Sequence, residues 1–241
     1  MKNILLTGCS RGVGLSIAKS LIASGYNVYG VSRKITPEYE QLMNENENQV
    51  FYKSFDLADP DSVQEQLFKN YITNSVPLHG FINNAAIAYD DIITNLNLDR
   101  LRNMYEVNVF SPYNITKYAI RNMIYNRVKG SIVHVSSISV HTGYKGLAMY
   151  AGSKGALEAF SKNTAREWGE RGVRSNCLVA GFMDTDMSAT LGDDMKDRIF
   201  KRTSLKVPTA LESVADMITF LISEEAKSIT GQNIHVDSGT I

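Results

Sequence analysis

Cysteine is close to missing from this sequence: Cys9 and Cys177 are the only two, and they lie in dissimilar surroundings. That leaves no basis for a disulfide framework or a zinc cluster, and no metal is expected. Both read as small buried side chains. Net charge is missing as well. Twenty-five Lys and Arg balance twenty-five Asp and Glu, so no global field draws the chain to nucleic acid or to an anionic membrane. Nor does any apolar run reach the roughly 18 residues of a membrane span. The opening MKNILLTGCSRGVG carries one lysine and a short apolar run that enters a glycine loop directly, unlike a cleaved signal peptide. A soluble, cytoplasmic protein is expected. There is no internal repeat, and the one low-complexity patch, NENENQ at 44–49, reads as a solvated loop. Function must come from a local site.

What is present is alternation. Short apolar runs at NILLT, NVYGVS, VFYKSFD, HGFINNA, GSIVHVSS, RSNCLVA and NIHVD predict strands. Stretches of helical periodicity separate them at 12–24, 60–72, 98–126, 151–170 and 210–222. Strands joined by helices make right-handed parallel crossovers, which place helices on both faces of one sheet. The expected fold is α/β, a doubly wound Rossmann-type parallel sheet of about seven strands. No composition shift marks a boundary, so residues 1–241 are taken as one domain. Ligands of such sheets bind at the carboxyl ends of the strands.

The first strand runs into TGCSRGVG, residues 7–14. Gly8 suits a tight turn, Gly12 lets backbone approach a phosphate, and Gly14 lets the following helix pack on the strand. The helix N-terminus then faces the anion. The spacing G-x-x-x-G-x-G differs by one residue from G-x-G-x-x-G. Gly8, Cys9, Ser10, Arg11, Gly12, Val13 and Gly14 are therefore assigned to a dinucleotide. Arg33 ends the second strand, where folds that prefer NAD place an acidic residue for the ribose hydroxyl. A guanidinium there, with Arg11 in the loop, suits a 2′-phosphate, so NADP(H) is the expected cofactor.

Ser137 stands thirteen residues before Tyr150, and Tyr150 four before Lys154. A phenol titrates near 10 and needs a nearby cation to act close to neutrality. The bare Tyr-x-x-x-Lys pattern arises easily among twelve tyrosines, and Tyr113 and Lys117 repeat it. That second pair has Arg100 thirteen residues upstream and no preceding strand, so it reads as a helix pair. Ser137, by contrast, ends an apolar run and delivers a hydroxyl to the sheet edge.

With Ser137, Tyr150 and Lys154 beside the loop of Gly8, Gly12 and Gly14, the whole chain resembles the short-chain dehydrogenase/reductase family. The likeness extends to NNAA at 83–86, FDL at 55–57, NV at 108–109 and AGFMDTDM at 180–187. Two residues depart from it, Ala86 for the last glycine of NNAG and Ala180 for the proline of PG. The resemblance implies a fourth catalytic residue, Asn108, holding a water that links Lys154 to solvent. It implies cofactor contacts from Asp56, Leu57, Asn84, Ala85, Gly181, Met183 and Thr185, with Tyr150 and Lys154 also touching the nucleotide. It implies reduction of a ketone by NADPH, with Tyr150 as proton donor, Lys154 lowering the phenol's pKa and holding the nicotinamide ribose, and Ser137 bonding the carbonyl oxygen. Residues 182–208 would form a substrate lid.

His134 lies in an apolar strand and reads as structural, whereas His141 is a candidate for the pocket wall. Among family members the likeness is greatest to the reductases of 3-oxoacyl groups on acyl carrier protein. An acidic carrier needs basic residues near the pocket mouth. Arg171 matches one such position, while Val128, between Arg127 and Lys129, occupies the other, so that patch is shifted in register. A sugar, polyol or secondary-metabolite carbonyl is the alternative substrate, and a non-catalytic NADP-binding sensor is the reading from another class. A homotetramer is expected, built on the long helices through Met104, Val107, Phe110, Tyr113, Leu157, Phe160 and Trp168.

Overall fold

Residues alternate between the two faces of a strand, and in β1 (Asn3–Thr7) both faces are apolar: Ile4 and Leu6 join one core cluster, Leu5 another. Such a strand must be covered on both sides. The structure is a computed structural model describing residues 1–185 and 192–240. The remaining strands are β2 (Asn27–Ser32), β3 (Val50–Ser54), β4 (Leu78–Asn83), β5 (Ser131–Ser137), β6 (Arg174–Ala180) and β7 (Asn233–Val236). They form one seven-stranded sheet in the order β3-β2-β1-β4-β5-β6-β7. Every pairing is parallel. The order reverses at β1, which pairs with both β2 and β4, so a crevice opens above the carboxyl ends of β1 and β4.

Helices α1 (Gly12–Ala23) and α8 (Leu211–Ile222) cover the face of Ile4 and Leu6, contributing Ile17, Leu21, Val214 and Ile218 to its core. On the opposite face, α4 (Ser111–Tyr125) covers Leu5, Phe81 and Ile132 with Ile115, Ala119 and Met123, and Val107 precedes it in the same cluster, whereas α3 (Leu98–Tyr105) packs Met104 into a separate small cluster with Tyr89 and Met149. Helix α6 (Ala148–Trp168) packs on β5 and β6. Two short helices, α5 (Ser139–Thr142) and α7 (Asp193–Phe200), follow β5 and β6.

Several boundaries differ from the sequence expectation. The helix expected over 98–126 is interrupted by a π-helical segment, Glu106–Phe110, and that expected over 60–72 is a π-helical turn, Gln64–Lys69. Helix α6 begins at Ala148, three residues early, which puts Tyr150 in its first turn. An additional helix, α2 (Pro37–Glu45), takes up the start of the 44–49 patch. Thr36 caps it by accepting from Tyr39 N–H, and Pro37 occupies its first turn. That Thr-Pro start was a readable signal.

Candidate active site

The turn after β1 is set by Gly8, at φ +68°, whose N–H donates to Val31 O at 2.7 Å. A β-carbon on Gly14 would lie 1.8 Å from Gly8 O, so only glycine lets α1 come this close to the strand. Gly12 also has positive φ, +51°, and opens onto space. Helix α1 starts there with no side-chain cap and no acidic residue in its first turn. Its first N–H groups and the positive end of its dipole therefore suit an anion. The residues fit a dinucleotide's phosphates.

Cys9 has only its backbone to offer a ligand. Its side chain is buried against Tyr39 and Gly30, and burial pushes the thiol up to about 12. The turn after β2 is drawn over the glycine loop by Thr36, whose hydroxyl donates to Ser10 O at 2.6 Å. Arg11 and Arg33 are both exposed on these neighbouring turns. On the β4 side, Asn84 Nδ2 donates to Thr7 O at 3.2 Å and Gly8 O at 3.1 Å. Thr7 Oγ1 accepts from the N–H groups of Asn84 and Ala85. Thr7, at the head of TGCSRGVG, was assigned no role from the sequence, yet it clamps the two loops together.

Asp56 is exposed and accepts from Ala58 N–H, while Leu57 is buried with its carbonyl held by Ser111 Oγ. Gly181 follows β6, and a β-carbon there would strike Thr209 Oγ1 at 2.2 Å. Met183 packs on the first core cluster, and Thr185 lies at the end of the described stretch. Residues 186–191 of the expected lid, which include the last two residues of the AGFMDTDM likeness, lie outside the described residues.

Ser137 ends β5, and its Oγ accepts from Ser139 N–H at 3.2 Å and Ser139 Oγ–H at 3.0 Å. With both acceptor positions engaged, its own proton is left to donate. Asn108 is fully buried in the π-helical segment. Its amide accepts from Ile87 N–H and donates to Ile87 O, both at 2.9 Å, and donates to Ser153 Oγ at 3.0 Å. Ser153 in turn donates to Tyr150 O at 2.7 Å. Asn108 is thus tied to the tyrosine's own helix turn, with one amide-oxygen lone pair left. The Ala86 departure leaves this clamp on Ile87 intact.

Lys154 differs from expectation. It is 2% exposed and its ammonium donates to Val135 O at 2.8 Å, lying 5.8 Å from the Tyr150 ring centre. Burial lowers its pKa to about 8. The Tyr150 phenol is not lowered by it: burial, then the Asp90 carboxylate, raise it above the ordinary tyrosine value. Spacing gives the neighbourhood of the two groups but not the direction of the ammonium, which here is set by the Val135 carbonyl.

The remaining candidates fall outside the crevice. Tyr113 stacks on Phe160 with centroids 3.7 Å apart and donates to Ala156 O, while Lys117 lies over Tyr118, so the duplicate pair is structural. His134 is fully buried beside Phe81, and burial holds its pKa at about 3. His141 does not simply line a pocket: its Nε2 meets the Glu158 carboxylate at 3.1 Å. Among the described residues no group of three or more His, Cys, Asp or Glu is placed to hold a metal ion, and no helix is long and apolar enough to cross a membrane.

A reversing parallel sheet, an uncapped glycine-turn helix and a Ser, Tyr, Lys and Asn set at the adjoining strand ends define a nucleotide-binding α/β oxidoreductase. The chain belongs to the short-chain dehydrogenase/reductase family, whose members bind a nicotinamide cofactor. Residues 8–240 match a model of that family described as enoyl-(acyl carrier protein) reductase. The chain is 33% identical over 241 residues to the 3-oxoacyl-[acyl-carrier-protein] reductase FabG of Chlamydia trachomatis serovar D, covering 99% of this chain and 96% of that one. A blue fluorescent protein from a metagenomic library, solved in complex with NADPH, superimposes with a TM-score of 0.89 at 25% identity, covering 99% of this chain and 97% of the other. A 4-hydroxyisoleucine dehydrogenase complexed with NADH shares the fold at TM-score 0.92 and 23% identity, covering 100% and 98%.

Proposed function

We propose that the chain reduces a ketone to a secondary alcohol with NADPH, and that the ketone is a 3-oxoacyl group carried on acyl carrier protein. One observation carries the carbonyl reading: Ser137 Oγ accepts twice from Ser139 and so keeps its proton to donate elsewhere, at the end of a strand on which the helix of Tyr150 packs. A hydroxyl fixed in this way is a donor aimed at an oxygen that gains negative charge.

When bound, NADPH supplies the hydride. Residues 8–14 with the α1 N-terminus would hold the pyrophosphate, and Arg11 and Arg33 the 2′-phosphate. Asp56 and Leu57 would border the adenine, Asn84 and Ala85 the middle of the nucleotide, and Gly181, Met183 and Thr185 its nicotinamide end. Ser137 holds the substrate oxygen and Tyr150 gives it a proton. Lys154 must turn from Val135 O to reach the ribose and the phenol, and its pKa of about 8 makes that charge easy to adjust near neutrality. Asn108, fixed to Ile87 and Ser153, has one oxygen lone pair for a water leading to solvent.

The carrier reading rests on the 33% relative's name and on a basic patch. Arg171 and Lys129 are both exposed, and a β-carbon on Gly172 would touch Lys129 Cγ at 2.6 Å, so the shifted lysine packs against the turn next to Arg171. The test compares acetoacetyl groups on acyl carrier protein and on coenzyme A with keto sugars and small ketones, using NADPH throughout. Thioester turnover is expected. Turnover confined to non-thioesters would reject the carrier substrate, and nucleotide binding without turnover of any ketone would favour the sensor.

A further inference from the structure

Tyr150, Lys154 and Glu158 recur every four residues along α6, so a phenol, an ammonium and a carboxylate share one helix face. The reduction uses the first two. Glu158 is 8% exposed, and a carboxylate so placed requires donors. It has three, each from a different element. Ser136 Oγ donates to it from β5, His141 Nε2 meets it at 3.1 Å from α5, and Asn233 Nδ2 donates at 2.7 Å from β7.

Two of these donors bracket Ser137. Ser136 precedes it directly, and His141 follows in the short helix whose Ser139 orients the Ser137 hydroxyl. One turn back on α6, Lys154 holds Val135 O. Two adjacent turns of α6 therefore grip two consecutive residues of β5 just before Ser137. The trio is no nucleophile, because Ser136 gives its hydrogen to the carboxylate rather than to the imidazole. The other charged or titratable groups around Glu158 are Lys154 on its own helix, Cys177 on β6, and His235 and Asp237 at β7, with the His235 ring 5.1 Å from that of His141.

We propose that Glu158 is a positioning residue, which locks the Ser137 arm in register against the helix carrying Tyr150 and Lys154. The inference rests on the reductase reading for its kinetic consequence, but its structural consequence stands alone. Glu158→Leu keeps the bulk and removes all three contacts. It is expected to lower kcat for an activated ketone about tenfold while NADPH Kd stays within about threefold, as loss of orientation rather than of binding gives. Amide hydrogen exchange over 137–142 should quicken at least tenfold and that of β7 should also rise, with β1 to β4 unchanged.

Single-donor variants keep the idea testable if that replacement does not fold. Ser136→Ala loosens the strand of Ser137, whereas Asn233→Ala loosens only β7, so the serine variant should be slower and exchange faster at 137–142. Equal effects, or a larger effect from Asn233→Ala, would overturn the proposal. So would a Glu158→Leu protein with wild-type kcat and exchange, or one in which turnover, NADPH affinity and melting temperature fall together. If the unaltered protein reduces no ketone, the reductase reading fails, and the exchange comparison still decides the role of Glu158.

Discussion

A phenol buried beside a carboxylate holds its proton tightly, and Tyr150 is in that position, with burial and Asp90 both raising its pKa. Transfer from it therefore depends on a cation moving near, and Lys154 is the group within reach. Tyr150→Phe is expected to cut turnover more than tenfold with NADPH affinity little changed, because the nucleotide rests mainly on other groups. Lys154→Ala should weaken both. Steady-state rates together with fluorescence titration of NADPH check this, and a Phe variant keeping above about a tenth of the rate would refute the proton role. Whereas Asn108 came only through the family resemblance, Ser137 and the glycines were legible in the sequence because they stand at strand and helix ends. The direction of the Lys154 ammonium was not, since a rotamer is chosen by tertiary partners such as Val135 O. Glu158 was missed for a related reason: a glutamate in a helix ordinarily faces water, and only the fold brings Ser136, His141 and Asn233 to it.

While the edge strands β3 and β7 are half-buried and carry Lys53 and His235 among their short apolar runs, the inner strands β1, β4, β5 and β6 announced themselves through largely apolar runs, as parallel strands buried on both faces do. The π-helical segments did not, because over five or six residues a wider helix leaves nearly the same apolar pattern as an α-helix. Yet one of them carries Asn108, and the local widening sets its amide between Ile87 and Ser153. Strand β5 gives a pH prediction. The unfolded chain binds a proton at His134 near pH 6.5, whereas the folded chain refuses it until about 3, so this site's contribution to stability is present above about 6.5 and lost as pH falls toward 3. The loss amounts to about 1.4 kcal/mol per pH unit at most. Replacing the imidazole by an apolar group of similar size, His134→Leu, should flatten that acid limb. Urea unfolding at pH 7, 6, 5 and 4 measures it, and parallel limbs for the two proteins would show that His134 does not titrate on unfolding.

Two whole-molecule properties, cofactor choice and assembly, follow from which side chains the fold leaves outside. Arg11 and Arg33 emerge on adjacent turns joined by the Thr36–Ser10 bond, with no acidic residue ending β2. NADPH is therefore expected to exceed NADH by ten- to a thousandfold in kcat/KM, and Arg33→Asp to erase or reverse the preference. Equal use of the two by the unaltered protein would refute that. For assembly, the fold narrows the expected contact surface. Met104 and Leu157 are fully buried and Val107 nearly so, Tyr113 and Phe160 are stacked on each other, and Trp168 packs on the second core cluster. Phe110 alone of those residues is prominently outside, 49% exposed where the π-helical segment meets α4. It lines an open groove of about 600 Å³ with Ala58, Pro60 and Asn114, edged by Asp59, Asp61 and Glu106. An aromatic ring rimmed by polar groups is the usual centre of a contact between copies. The expected outcome of light scattering at micromolar concentration is a homotetramer, or failing that a dimer, which Phe110→Asp shifts toward smaller species by placing a further negative charge among three carboxylates. A monomer before any substitution would refute the assembly, and an unchanged mass after it would move the contact away from Phe110.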